Sequence, residues 1–293
     1  MVLITRANFL PLTVVIVSAG LAAALYAHGA FYPFDAFLIL IGALLTHMAV
    51  NVFNNYFDYR SKIDAMTTKT PFSGGIDILV NGKMKPRVAF EIGVACLLGA
   101  AGIGAYFLSH TFYPLLPILL YGVFTICLYS PVLSKIHGLS EIVAGSGFGL
   151  MGLGAYVVQA RVIDGTGMSV FVPITILVAL LLFLNEFPDA EADKIAGRRH
   201  LVIMLGKRTS AMIYVLGLAA TYVSIIVAVA AGAAPFVALV SLITIPVAYK
   251  AARIALKNYD EIPKLVPALA LNVMVILSTI LLLAAGFLIG IFV

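Results

Sequence analysis

The chain has 293 residues, 62% hydrophobic and 11% charged, with 18 Lys and Arg against 13 Asp and Glu and a mean hydropathy of +1.11. Soluble domains carry about a quarter charged residues, and one soluble core could not hide this much apolar surface. Composition therefore excludes a soluble globular protein and makes the bilayer the solvent. Nor does the basic balance point to nucleic acid, because nearly all cations fall in links between apolar runs, where they set membrane topology. Cys96 and Cys127 lie inside apolar runs, at a spacing that suits neither a zinc site nor a disulfide framework.

In chain order, nine helices are predicted, over about 9–28, 36–57, 87–108, 113–130, 139–159, 168–188, 210–231, 234–254 and 265–292. The fold class is all-α: a polytopic membrane protein forming one domain over 1–293, in two pseudo-repeated halves of about 1–135 and 136–293. The first run is read as a retained span rather than a signal peptide, since about 20 residues suffice to cross. With the N-terminus in the cytoplasm, Arg161 is the one cation of the 18 that falls outside. This predicts a multi-pass protein of the plasma membrane, with both acidic motifs described below on the cytoplasmic side. The fifth helix carries "GSGFGLMGLG", in which Gly145 and Gly149 allow close helix packing and the small residues leave room for a lipid-tail cavity.

The long inner links rhyme. The second helix ends "NNYFD", with Asn54 four residues before Asp58, and the sixth ends "NEFPD", with Asn185 four residues before Asp189. Four residues is about one helical turn, so amide and acid share a face. Asp193 extends the second stripe. Asp64 lies six residues past Asp58, which predicts that the second helix bends or ends between them. Pro188 frees the carbonyl of Leu184 and is expected to weaken the last turn of the sixth helix.

Acids and amides at a membrane need compensation, since an Asp at a helix centre costs about 2.5–3.5 kcal/mol. Hard oxygen donors of this kind suit Mg²⁺, which usually takes one or two carboxylates plus substrate phosphates. Two facing clusters would hold two Mg²⁺ ions bridged by a diphosphate, and nearby cations would neutralise the remaining charge. Lys69 and Lys135 are candidates on the same side, in competition with Arg60, Lys62, Arg198 and Arg199. No Walker loop, G-x-S-x-G or His/Cys metal spacing offers other chemistry. His47, within the second helix, reads as a packing residue, and "GGIDILVNGKMKPR" as a flap over the cytoplasmic mouth.

"NNYFDYRSKID", "KTPFSGG", "YSPVLSKIHGLSE", "GFGLMGLGAYVVQ" and "NEFPDAEADKIAGRRHLVIMLG" together resemble the UbiA superfamily of intramembrane prenyltransferases, over nearly the whole chain. The resemblance implies nine helices around a central cavity, Mg²⁺, and transfer of a polyprenyl group from an isoprenyl diphosphate through an allylic cation. The Asn54–Asp58–Asp64 spacing looks like the menaquinone-type branch, whose acceptor is dihydroxynaphthoate, a small aromatic quinone precursor. Carried over, Asn54, Asp58 and Asp64 form one metal–diphosphate cluster, and Asp189 and Asp193 the other, with Asn185 beside them. Lys135 resembles a diphosphate-binding lysine, Lys69 stands where relatives often have arginine, and Arg6 looks like the arginine that opens the first helix. The rival readings are prenyl transfer to an ether-lipid or haem acceptor, a secondary transporter with its acids nearer the midplane, and a headgroup transferase, whose Asp-Gly-x-x-Ala-Arg pattern is missing.

Overall fold

The computed structural model describes residues 3–63, 70 and 75–293. Asp64, Lys69 and part of the expected flap lie outside them. The described residues form helices joined by turns, without strands: α1 Pro11–His28, α2 Pro33–Arg60, α3 Pro86–Leu108, α4 Phe112–Leu128, α5 Leu139–Ala160, α6 Gly165–Ile195, the short α7 Leu201–Leu205, α8 Lys207–Ala230, α9 Ile245–Asn258 and α10 Ile262–Ile289. Among the described residues eight helical segments are long and apolar enough to cross a membrane, one of them Phe236–Asn258, which includes α9, and α4, at 17 residues, is a shorter apolar helix.

Proline opens α1, α2 and α3, where its fixed φ suits the first turn and its missing N–H costs nothing. α2 stops at Arg60, and Lys62 turns the chain away with φ 61°, so the helix does end between Asp58 and Asp64. α6 behaves differently from the expectation set by Pro188: it runs unbroken to Ile195, carrying Asn185, Asp189 and Asp193 on one rod. Buried neighbours hold that last turn, since Glu186, Phe187, Ala190 and Asp193 are all buried. The eighth predicted span is split into a 3₁₀ stretch, Phe236–Thr244, followed by α9.

The long helices form a closed ring of neighbours from α1 round to α10, which packs back on α1. Within it α1 also meets α5 and α6, and α10 meets α6. The α5 glycines divide by face. A Cβ at Gly145 would collide with the carbonyl of Thr175 and the side chain of Ala179 on α6, and one at Gly149 with Thr175 Oγ1. A Cβ at Gly147 would meet nothing within 4 Å. Small residues thus serve close packing on one side of α5 and open space on the other. Polar groups in the second half satisfy one another: Tyr214 donates to Asn272 Oδ1 at 3.0 Å, and Asn272 Nδ2 to the Leu180 carbonyl at 3.2 Å.

At the end of the bundle remote from the acidic motifs, Asp164 caps α6 by accepting from Gly167 N at 3.0 Å and from Tyr156 Oη at 2.7 Å, with His28 Nε2 at 2.9 Å. Burial works to raise its pKa, but these hydrogen bonds outweigh it and hold the carboxyl below the ordinary 3.8. A depressed folded-state pKa contributes stability that is full above the unfolded value and fades as pH falls through the folded one. Asp164→Ala is therefore expected to cost about 0.5–2 kcal/mol near neutral pH. The gap in thermal midpoint between wild type and variant should shrink below pH 4; a gap that widens there would contradict the assignment.

Candidate active site

Between α1, α2, α4, α5 and α6 lies a cavity of about 230 Å³. Its polar wall comes from Arg6, His47, Asn51, Asn54 and Asn185, and its aromatic wall from Phe9, Tyr129 and Phe148. A second cavity of about 310 Å³, lined almost wholly by apolar residues of α2, α3, α4 and α5, adjoins it. The two share Thr46, Gly122, Ile126, Gly147 and Met151 as wall residues, so a polar cavity and an apolar one lie side by side. No residue of α8, α9 or α10 lines either cavity.

His47, Asn51, Asn54 and Asp58 follow one another at spacings of four, three and four along α2, which is one helical face. Arg6 reaches this face from the N-terminal segment, where its Nη2 donates to Asn55 Oδ1 at 3.0 Å. Asn54 Nδ2 donates to Ser130 Oγ at 3.4 Å. Across the cavity, the Oδ1 of Asn185 is buried and accepts no hydrogen bond among the described residues.

The two acidic motifs meet through Arg198. Its guanidinium binds Asp58 Oδ1 of α2 with Nη2 and, at 3.0 Å, Asp193 Oδ1 of α6 with Nη1. Burial would lower the pKa of Arg198, but the two carboxylates outweigh it and raise it, so the cation is permanent. Behind Asp193 lies a second buried group that the sequence did not reveal. Glu141, Glu186 and His200 bring ligand atoms within 4.8 Å of one another. His200 Nε2 lies 3.3 Å from Asp193 Oδ2, and Glu141 accepts from Leu201 N at 2.8 Å and from Ser140 Oγ at 2.6 Å. This group fastens α5, α6 and α7 together under the acids.

Of the residues picked from sequence, Asn54, Asn185 and Arg6 line the cavity, and Asp58 and Asp193 are joined beside it. Asp189, partly buried, stands one turn before Asp193. The structure does not bring Lys135, Arg60, Lys62 or Arg199 to the cavity. Lys135 is exposed at the end of a 3₁₀ turn, Arg60 lies 6.0 Å over the Tyr56 ring, Lys62 is exposed in the turn after α2, and Arg199 donates to His137 Nε2 at 2.9 Å. Asn51, Tyr129 and the cavity role of His47 were missed. The four-three-four spacing along α2 was the signal for His47 and Asn51; Tyr129 opens the "YSPVLSK" motif, from which only Lys135 was picked.

The oxygen donors fit a hard divalent cation. Asp58 and Asp193 are already drawn together by one positive group, and the unused Asn185 oxygen is a neutral ligand of the right type.

Comparison with known proteins gives the same direction. The model of the UbiA prenyltransferase family matches residues 13–274. The 1,4-dihydroxy-2-naphthoate octaprenyltransferase of Bacillus subtilis (strain 168) is 28% identical over 202 residues, 67% of this chain and 63% of that relative's length. A UbiA homologue from Aeropyrum pernix K1, solved in its apo form, superposes with a TM-score of 0.74 at 18% identity, covering 94% of this chain and 97% of that one. A UbiA homologue from Archaeoglobus fulgidus bound to DMAPP and Mg²⁺ gives 0.67 at 14% identity, covering 96% and 98%. A family match over most of the chain, with a shared fold and two acidic motifs joined at one cavity, places this chain in the UbiA prenyltransferase family.

Proposed function

We propose that the protein moves a polyprenyl group from an isoprenyl diphosphate to a small aromatic acceptor of the quinone-precursor type, with two Mg²⁺ ions and release of diphosphate. The observation that carries this reading is the adjacency of the two cavities: a polar one lined by Asn54 and Asn185 of the acidic motifs shares a wall with an apolar one bordered by α3 and α4. A diphosphate and a prenyl tail are one molecule with a polar and an apolar end. The naphthoate relative supports the aromatic acceptor.

Asp58, Asp189, Asp193 and Asn54, with Asp64 from outside the described residues, would hold the Mg²⁺, which when bound would supply positive charge to a diphosphate leaving group. Arg198 keeps Asp58 and Asp193 together, and Arg6 adds fixed positive charge in the polar cavity. The apolar wall around Met151, Leu181 and Leu182 excludes water from the allylic cation. The cation distribution supports a cytoplasmic site in the plasma membrane.

The test is direct. Purified protein in detergent is given geranylgeranyl diphosphate, 1,4-dihydroxy-2-naphthoate and Mg²⁺, and products are identified by mass. Prenylated naphthoate is expected, lost on chelation with EDTA and restored by excess Mg²⁺. Absence of product with this and a panel of other acceptors, or turnover undiminished by chelation, would overturn the reading.

A further inference from the structure

His47 is 4% exposed, and its only hydrogen bond among the described residues joins Nδ1 to Thr13 Oγ1 at 2.7 Å. Its ring meets Phe148 edge to face, with centroids 4.8 Å apart. Both residues stand on the cavity wall. Thr13 is fully buried and its hydroxyl makes no other hydrogen bond among the described residues, so the hydroxyl proton has one acceptor within reach, Nδ1 of His47. A buried hydroxyl proton left without an acceptor is costly, so Thr13 donates. In the neutral ring that places the remaining proton on Nε2. Nε2–H then has no protein acceptor and stands at a cavity that also carries Arg6, Asn51 and Asn54.

A donor held in one tautomer by a residue on another helix, next to an aromatic face, is a site for an oxygen-bearing ring. We propose that His47 selects the acceptor: its Nε2–H donates a hydrogen bond to an oxygen substituent of the aromatic substrate, a carboxylate or hydroxyl oxygen, while Phe148 borders the ring. Thr13 is the positioning residue that fixes the tautomer. A hydrocarbon tail has no oxygen to offer, so the interaction separates acceptor from prenyl chain. The inference rests on the enzymatic reading for its substrate, but its test does not depend on turnover.

Protein labelled with ¹⁵N-histidine is titrated with 1-hydroxy-2-naphthoate, and the His47 signals are identified by their loss in His47→Phe. The unbound protein should show the proton on Nε2 and an unprotonated Nδ1, with Nε2 shifting as the probe binds. In turnover assays, His47→Phe should raise the acceptor KM about tenfold or more with the diphosphate KM near wild type, and should lower the thermal midpoint, because the Thr13 hydroxyl loses its acceptor. Thr13→Val should raise the acceptor KM less, because both tautomers become accessible. A proton found on Nδ1, an Nε2 signal indifferent to the probe, or equal rises in both KM values would overturn the proposal. If wild type forms no prenylated product, the enzymatic reading fails while the titration still decides the role of His47.

Discussion

Arg198→Met is expected to destabilise the protein by roughly 3–5 kcal/mol, the usual cost of stripping one partner from a buried ion pair. Its side chain is 18% exposed, and its two carboxylate partners are 10% and 3% exposed. Without the guanidinium, Asp58 and Asp193 face each other with no fixed countercharge, and the join between α2 and α6 becomes repulsive. Methionine keeps much of the aliphatic volume, so the loss reports charge and hydrogen bonding rather than a cavity. Arg198→Lys should recover part of the stability, since one ammonium cannot present the two-pronged fork that reaches both acids. Thermal unfolding of the purified variants is the measurement. A midpoint unchanged in Arg198→Met would show that the acids are not held this way.

Asp58→Asn should have the opposite profile: a modest loss of stability and a fall in turnover of about 10²–10³-fold, the scale seen when one preorganised electrostatic group is removed. Asparagine retains an oxygen to accept from Arg198 but loses the charge that a divalent ion requires. Asp189→Asn should fall in the same direction. Turnover at saturating Mg²⁺ and donor, alongside thermal midpoints, separates the two effects. Near-native rates in both variants would refute the metal–diphosphate role of the acidic motifs.

Much of the architecture could be read from the chain because membrane spans are written locally. A run of about 20 apolar residues must be helical in lipid, whatever it packs against. The end of α2 between Asp58 and Asp64 was similarly readable, since six-residue spacing does not continue a helical face. The unbroken course of α6 through Pro188 was not, because burial of Glu186, Phe187 and Asp193 by other helices overrides the local weakening. The 3₁₀ stretch before α9 was marked locally by Pro246, which opens α9 and cannot continue a preceding helix, although the run of apolar residues read as one span.

The sequence by itself determined the solvent, the number and rough limits of the spans, and the pairing of amides with acids one turn apart. These depend on composition and on neighbours within a turn. Only the tertiary structure decided which cation joins the two acidic motifs. Arg198 and Asp58 are 140 residues apart, and several basic residues nearby look equivalent in the chain. Folding buries Arg198 between two carboxylates and leaves Lys135 in solvent. It also set His47, an apparent packing residue in the chain, on the cavity wall, because its hydrogen-bond partner Thr13 comes from another helix.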